Sequence, residues 1–288
     1  MSDMLDKRRH AYREDLADAA LAGRVQASRF VVGQAYHVAA AIAPVRAAPS
    51  HDGDLDTEAL GGEAVTVFDM QGGWAWCQLV GDGYVGYIPV EMLAQGSPAQ
   101  ATHRVAAREA FAYQEPTARS KPTRSWLFCS TFQVIATNGD FVELADGGFI
   151  GSQHVETVDA TKADYVATAM QMLGVPYLWG GKSVRGIDCS GLVQLSLSRA
   201  GIACPRDTDM QADELPGDVP VPDDRLAPLQ RGDLVYWPGH VGLMIDDQKM
   251  LHANGTNMST TIDPVAAVAA RSRQSGPIAT AVKRLMPG

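Results

Sequence analysis

The stretch PYLWGGKSVRGIDCSGLVQLSLSRAG, Pro176 to Gly201, decides how the rest of the chain reads. It sets Cys189 between Asp188 and a segment in which Leu192, Val193, Leu195, Leu197 and Ala200 recur at spacings of three and four, with Gly201 where a helix commonly stops. Cys189 therefore falls in the first turn of a helix. The unpaired amide N–H groups and the positive dipole end of that turn favour a thiolate over a thiol. A lone cysteine is more often a small buried apolar residue, so the surrounding chain has to supply a base before this one reads as a nucleophile.

Outward from that helix, Thr161 to Leu173 carries Val166, Ala169, Met170 and Leu173 on one helical face, ending at Gly174 and Pro176. On the other side, a Pro- and Asp-rich loop from Asp213 to Pro228 leads to the strand pair DLVYWPGHVGLMIDDQKMLHANG. The chain closes with a short helix candidate, PVAAVAARSR, and a β-like IATAVKRL that can complete the sheet. Helices first and strands later within one unit read as α+β. In the strand pair, His240 begins HVGLMI and His252 lies in KMLHA. A three-residue loop between the strands puts His252 opposite Gly242 and on the face of His240, where the two imidazoles can hydrogen-bond; a two-residue loop puts them on opposite faces. With the first geometry His240 serves as base to Cys189 and His252 fixes its tautomer. Structural zinc needs four ligands with close pairs, and Cys189, His240 and His252 make three with none, so neither a metal nor a cofactor is expected.

Upstream, residues 6–22 are rich in helix formers and charges and read as a short amphipathic helix. From Ser28 the texture changes to short β-type runs separated by Gly, Pro and Asp, and a similar texture recurs between His103 and Val158, where DGGFIGSQHV echoes DGYVGYIPVEML. The expected organisation is an amino-terminal helical segment (1–27), two small β-barrels of one diverged repeat (28–100 and 101–158) and an α+β unit (159–288). Of the 288 residues, 46% are hydrophobic and 20% charged, and 33 acidic against 24 basic side chains leave a formal charge of −9. That balance gives no support to a nucleic-acid partner. The amino terminus lacks the apolar core of a secretory signal, no run approaches a membrane span, and the four cysteines are scattered without a CxxC pair, so a cytoplasmic, reducing location is expected.

With these residues in hand, PYLWGG, DCSGLVQ, PRDTDMQ, RGDLVYW, GHVGLMI and MLHA closely resemble, in order, the motifs of the NlpC/P60 cysteine peptidases, and GEAVTVFDMQGGWAWCQLVGDGYVGYI resembles a bacterial SH3-like domain. The resemblance implies a papain-like fold preceded by two SH3-like barrels, and hydrolysis of cell-wall peptides between D-Glu, linked through its side chain, and a diamino acid. It casts Cys189 as nucleophile, His240 as base, His252 as orienting residue and Tyr177 as oxyanion donor beside the Cys189 amide. Asp188, Ser190 and Thr208 take the positions of substrate contacts. In relatives with SH3-like domains an acidic residue and a tyrosine hold the free amine of an amino-terminal L-Ala, which places Asp56, with Glu58 near it, and Tyr84 in those roles. The implied partner is a murein tri- or tetrapeptide, and the implied setting is cell-wall recycling. The rival readings are a hydrolase of intact peptidoglycan on the same scaffold, and an inert wall-peptide binding protein.

Overall fold

A computed structural model describes residues 5–160, 164–221, 226, 228–273 and 279–285. The chain divides into two units, Met1–Ala160 and Thr161–Gly288.

In the first unit, β1 (Gln34–Val38), β2 (Ile42–Arg46), β3 (Leu55–Leu60), β4 (Ala64–Gln71), β5 (Trp74–Leu79), β6 (Val85–Pro89) and β7 (Leu93–Gln95) form one antiparallel sheet in the order β3-β2-β6-β5-β4-β1-β7. Alternate residues of β1 to β6 meet in a single core that includes Val38, Ala43, Val45, Ala59, Val67, Cys77 and Ile88, and Leu93 of β7 packs against it, so the sheet curls around its own apolar face. A second set follows: β8 (His103–Val105), β9 (Glu109–Tyr113), β10 (Pro122–Leu127), β11 (Thr131–Phe132), β12 (Val134–Asn138), β13 (Phe141–Leu144), β14 (Phe149–Gly151) and β15 (Val155–Thr157).

The two sets pair in the same way. β1 lies between β4 and β7 as β8 lies between β11 and β15, and β2 lies between β3 and β6 as β9 lies between β10 and β14. Even the bulges coincide. Asp56 is the extra residue between the pairs Val45–Thr57 and Arg46–Leu55, and Thr123 is the extra residue between Ala112–Arg124 and Tyr113–Pro122. Phe68 and Ile135 hold the same relation in β4 and β12. A bulge re-aims one side chain and bends its strand, so shared bulges in a shared pairing order make the second barrel a structural repeat of the first.

The helix expected over residues 6–22 is not formed. That segment has only a two-residue strand, Ala17–Asp18, and one 3-10 turn, Ala19–Leu21. Ala11 and Leu16 bury against Phe68 and Trp76, the Arg8 carbonyl accepts from the Val85 amide at 2.8 Å, and the Arg13 guanidinium bonds Asp69 and Tyr87 and lies over the Trp76 ring. Helix propensity differs by only a few tenths of a kcal/mol per residue, and these contacts with the barrel outweigh it.

In the second unit α1 (Tyr165–Met170) is capped by the Asp164 carboxylate; residues 161–163 of the longer helix expected there lie outside those described. α2 (Cys189–Arg199) packs against a five-stranded antiparallel sheet made of β16 (Leu234–Trp237), β17 (His240–Met244), β18 (Lys249–Asn254), β19 (Ser259–Pro264) and β20 (Ala281–Lys283), in the order β19-β18-β17-β16-β20. α3 (Thr208–Glu214) follows α2, and α4 (Val265–Arg273) covers the face that carries Val235, Trp237, Met244 and Met250. The closing segment completes the sheet at β16. Among the described residues no helix is long and apolar enough to cross a membrane.

Candidate active site

Cys189 is the first residue of α2, with Asp188 as its cap. The Asp188 carboxylate is saturated by protein donors. Its Oδ1 accepts from the Gly191 amide (2.7 Å), Ser190 Oγ (3.2 Å) and Arg206 (3.0 Å), and its Oδ2 from the Gly180 amide (2.9 Å) and Arg206 (2.7 Å). Arg206 is 1% exposed and also reaches Ser190 Oγ at 2.7 Å. Residues expected as substrate contacts, Asp188 and Ser190, thus spend their polar atoms on holding the turn of Cys189. A Cβ at Gly191 would strike the Gly181 carbonyl, which is why glycine stands two residues after Cys189. Gln211 of α3 donates to the Ser190 carbonyl at 3.0 Å and ties that helix to the same turn; Thr208, expected at the substrate, is its half-buried first residue.

The hairpin β17–β18 meets the three-residue condition. Leu243 pairs with Leu251, Met244 with Met250, and Ile245 N–H with the Lys249 carbonyl, leaving Asp246, Asp247 and Gln248 as the loop. Gly242 stands across from His252, and a Cβ there would collide with the Met250 side chain. His240 and His252 share a face, and His240 Nε2 lies 2.8 Å from His252 Nδ1. Trp237 stacks on the His240 ring at 5.9 Å. The far nitrogen of His252 lies 3.1 Å from Asp263 Oδ2 and 3.2 Å from Asn254 Nδ2. Both rings line a cleft of about 460 Å³ together with Trp237, Asn254 and Arg271.

The first turn of α2 meets the sheet where β17 begins. Cys189 Sγ lies 3.9 Å from the Gly239 carbonyl oxygen and also takes a hydrogen bond from the Val241 backbone, the residues on either side of His240. Tyr177 is held by its amide on the Met258 carbonyl (3.0 Å) and by a bridge to Ile187, within electrostatic reach of Cys189 and Asp188.

The sequence favours a thiolate at this helix start; the structure reverses that expectation. Burial first, then the charge of Asp188, pushes the Cys189 thiol up to about 12, because a dipole effect of at most about 2 kcal/mol is smaller than the cost of a desolvated anion. Burial, with His252 and Arg271 nearby, pulls His240 down to about 3. The resting pair is therefore a neutral thiol and a neutral imidazole. Burial likewise raises the Tyr177 phenol to about 12, helped by Cys189 and Asp188, so it stays a proton donor. Burial lowers His252, against the opposing pull of Asp263.

In the first unit, Asp56 occupies the β3 bulge, with Glu58 two residues on in the same strand. Tyr84, 5% exposed, packs into the barrel core. The expected gate pair is thus one bulge residue and one core residue. Arg206, Gln211, Asn254 and Asp263 have no role among the sequence expectations. Arg206 and Gln211 stand inside PRDTDMQ, and that motif was the available signal for them.

Two family models match the chain: the NlpC/P60 family over residues 174–276 and the bacterial dipeptidyl-peptidase Sh3 domain over residues 45–93. A Bacillus cereus protein named gamma-D-glutamyl-L-lysine dipeptidyl-peptidase is 30% identical over 242 residues, which cover 73% of this chain and 71% of that protein. The chain belongs to the NlpC/P60 family. A Bacillus subtilis protein of the same name is 29% identical over 73% of this chain and 76% of its own length. The crystal structure of an NlpC/P60 family protein from Bacillus cereus shares the fold at a TM-score of 0.70 and 22% identity, covering 88% of this chain and 100% of that one. The protein is a cysteine peptidase with an NlpC/P60 domain behind an SH3-like domain.

Neutral, desolvated histidines make this site sensitive to acid. The unfolded chain takes up a proton near the ordinary histidine value of 6.5, whereas His240 in the fold takes one only near about 3. The stability this histidine contributes is therefore complete above about pH 6.5 and is lost as pH falls toward the folded value. Thermal unfolding is expected to lose on the order of 2 kcal/mol through His240 between about pH 6.5 and about pH 5, and His240→Gln should flatten that slope. Equal slopes in the two proteins would contradict a half-buried His240 that stays neutral.

Proposed function

We propose that the protein is a cysteine endopeptidase that cuts the γ-D-Glu to diamino acid bond of small murein tri- or tetrapeptides bearing a free amino-terminal L-Ala, in peptidoglycan recycling in the cytoplasm. The observation that carries this reading is the His240–His252 hydrogen bond beside Cys189 at the start of α2, in a chain whose relatives are named for γ-D-glutamyl-L-lysine peptides. A nucleophile at a helix start, packed on an antiparallel sheet that carries the base, supports a papain-like arrangement of the catalytic unit. The shared pairing order of the two barrels supports reading both as SH3-like. Four free cysteines suit a reducing compartment.

In the proposed reaction Cys189 Sγ attacks the γ-carbonyl carbon of D-Glu while His240 takes the thiol proton. Because Nε2 of His240 is held by His252, Nδ1 is the nitrogen left for this transfer. The oxyanion is stabilised by the Cys189 amide and the Tyr177 hydroxyl. His240 then returns the proton to the diamino acid nitrogen as the C–N bond breaks, leaving a thioester. Water, deprotonated by His240, attacks the thioester and releases L-Ala-D-Glu with the thiol restored. Starting from neutral partners, the proton has to move with the attack. The about 12 value of the thiol at rest is therefore compatible with catalysis.

For specificity, Asp56 in the β3 bulge is the proposed carboxylate for the L-Ala ammonium, with Tyr84 as its partner in holding that amine. The test compares L-Ala-γ-D-Glu-L-Lys with its amino-acetylated form by mass spectrometry. Removing a charged partner from such a contact costs at least about tenfold. The free peptide should be cleaved faster by that factor or more, and Asp56→Ala should shrink the ratio toward one. Equal cleavage of both peptides by the native protein would refute the gate.

A further inference from the structure

His252 Nε2 faces two groups of opposite demand. Asp263 Oδ2, at 3.1 Å, can only accept a proton in its ionised form; Asn254 Nδ2, at 3.2 Å, can only donate one. The Asn254 amide cannot be turned to suit, because its Oδ1 accepts from the Asn257 amide at 2.8 Å and its Nδ2 already donates to Thr261 Oγ1 at 2.9 Å. The proton on His252 therefore has two possible homes, and each dictates the state of His240.

If Nε2 carries it, His252 donates to Asp263 and its Nδ1 is an acceptor. Nδ1 then takes the Nε2–H of His240, and Nδ1 of His240 keeps a lone pair. If His252 instead accepts from Asn254, its Nδ1–H donates to His240 Nε2, and the proton of His240 moves to Nδ1. The base is then occupied at the atom that has to receive the thiol proton. A hydrogen bond to a carboxylate is roughly twice as strong as one between neutral partners, and the second N–H of Asn254 has the Ser259 carbonyl, at 3.5 Å, as an alternative acceptor. Arg271, 3.3 Å from Asp263 Oδ2, and Asn257 at 3.4 Å keep that carboxylate ionised. His240, Asp263 and Arg271 are the titratable and charged groups that act on His252.

We propose that Asp263 is a positioning residue that selects the Nε2–H tautomer of His252 and, through it, the Nε2–H tautomer of His240, against the competing donor Asn254. The inference rests on the catalytic reading of Cys189 and His240 above. It concerns a side chain on β19 that pairs with neither histidine in the sheet: Asp263 sits opposite Met250, and His252 opposite Thr261.

The tautomers can be read without turnover. In full-length protein with 15N-labelled histidine, long-range 1H–15N spectra at neutral pH should show Nε2–H for both His240 and His252. Asp263→Asn should convert both toward Nδ1–H and lower kcat on the order of a hundredfold with KM little changed, less than the roughly ten-thousandfold loss seen when a triad base itself is held in the wrong tautomer. Adding Asn254→Ala to Asp263→Asn removes the competing donor and should restore Nε2–H together with part of kcat. Retention of Nε2–H on both rings in Asp263→Asn would overturn the proposal, as would a kcat loss that Asn254→Ala does not relieve although the tautomer returns. If the tautomers respond as stated but the native protein cleaves no peptide, the functional reading fails while the tautomer assignment stands.

Discussion

Cys189→Ala is expected to abolish peptide hydrolysis, by at least about ten-thousandfold, while leaving the melting temperature within a few degrees of the native protein. The size follows from the division of labour at the site. In the proposed reaction the alanine variant keeps the amide at position 189, Tyr177 and the histidine pair, so binding and oxyanion contacts would persist, but no atom could form the thioester. Removing a covalent nucleophile leaves only the small residual acceleration that such contacts provide. The stability half follows from packing. Cys189 is 6% exposed, and loss of one sulfur at a helix start costs far less than loss of a large core side chain. Turnover by the variant within tenfold of native would remove Cys189 from the mechanism.

Arg206→Leu is expected to have the largest effect on stability. It leaves Asp188 as a buried carboxylate without its cation, and breaking a buried pair from one side costs about 3–5 kcal/mol, a large part of the 5–15 kcal/mol typical of a whole domain. Arg206 supplies two of the five donors on Asp188 and also bonds the Gly181 carbonyl and Ser190 Oγ, so the turn that presents Cys189 loses its frame as well. Asp188→Asn combined with Arg206→Leu should recover part of the loss, because a neutral amide is less costly to bury than a carboxylate. A melting temperature for Arg206→Leu equal to native would show that Asp188 is satisfied by other means.

How much of this was legible before the structure differs by residue, for physical reasons. The α2 helix was readable because its apolar spacing and Gly201 are local signals, and Cys189 stands at its start as expected. The His240–His252 contact was readable up to one unknown, the loop length, which the Ile245–Lys249 bond supplies. The repeat of the barrels was visible as an echo of turn residues, and the matching bulges deepen it. The amino-terminal helix was misread because propensity is local while Arg13, Ala11 and Leu16 answer to Phe68, Trp76 and Tyr87, far along the chain. The thiolate was misread because the helix dipole is written in the sequence but the burial of Cys189 is not. Arg206 and Asp263 act on Asp188 and His252 from 18 and 11 residues away, beyond a helix turn or a strand alternation, and no periodicity marks such partners.

In the proposed reaction Cys189 carries the acyl half of a γ-D-Glu peptide between two chemical steps. The most direct measurement mixes the native protein with L-Ala-γ-D-Glu-L-Lys, quenches in acid within the first turnover, and maps the protein by mass spectrometry. The expected result is an L-Ala-D-Glu adduct on the peptide that contains Cys189, labile to hydroxylamine as a thioester is, with free L-Lys released in step. Stoichiometric L-Lys release with an unmodified Cys189 at every quench time, and undiminished turnover in Cys189→Ala, would contradict it.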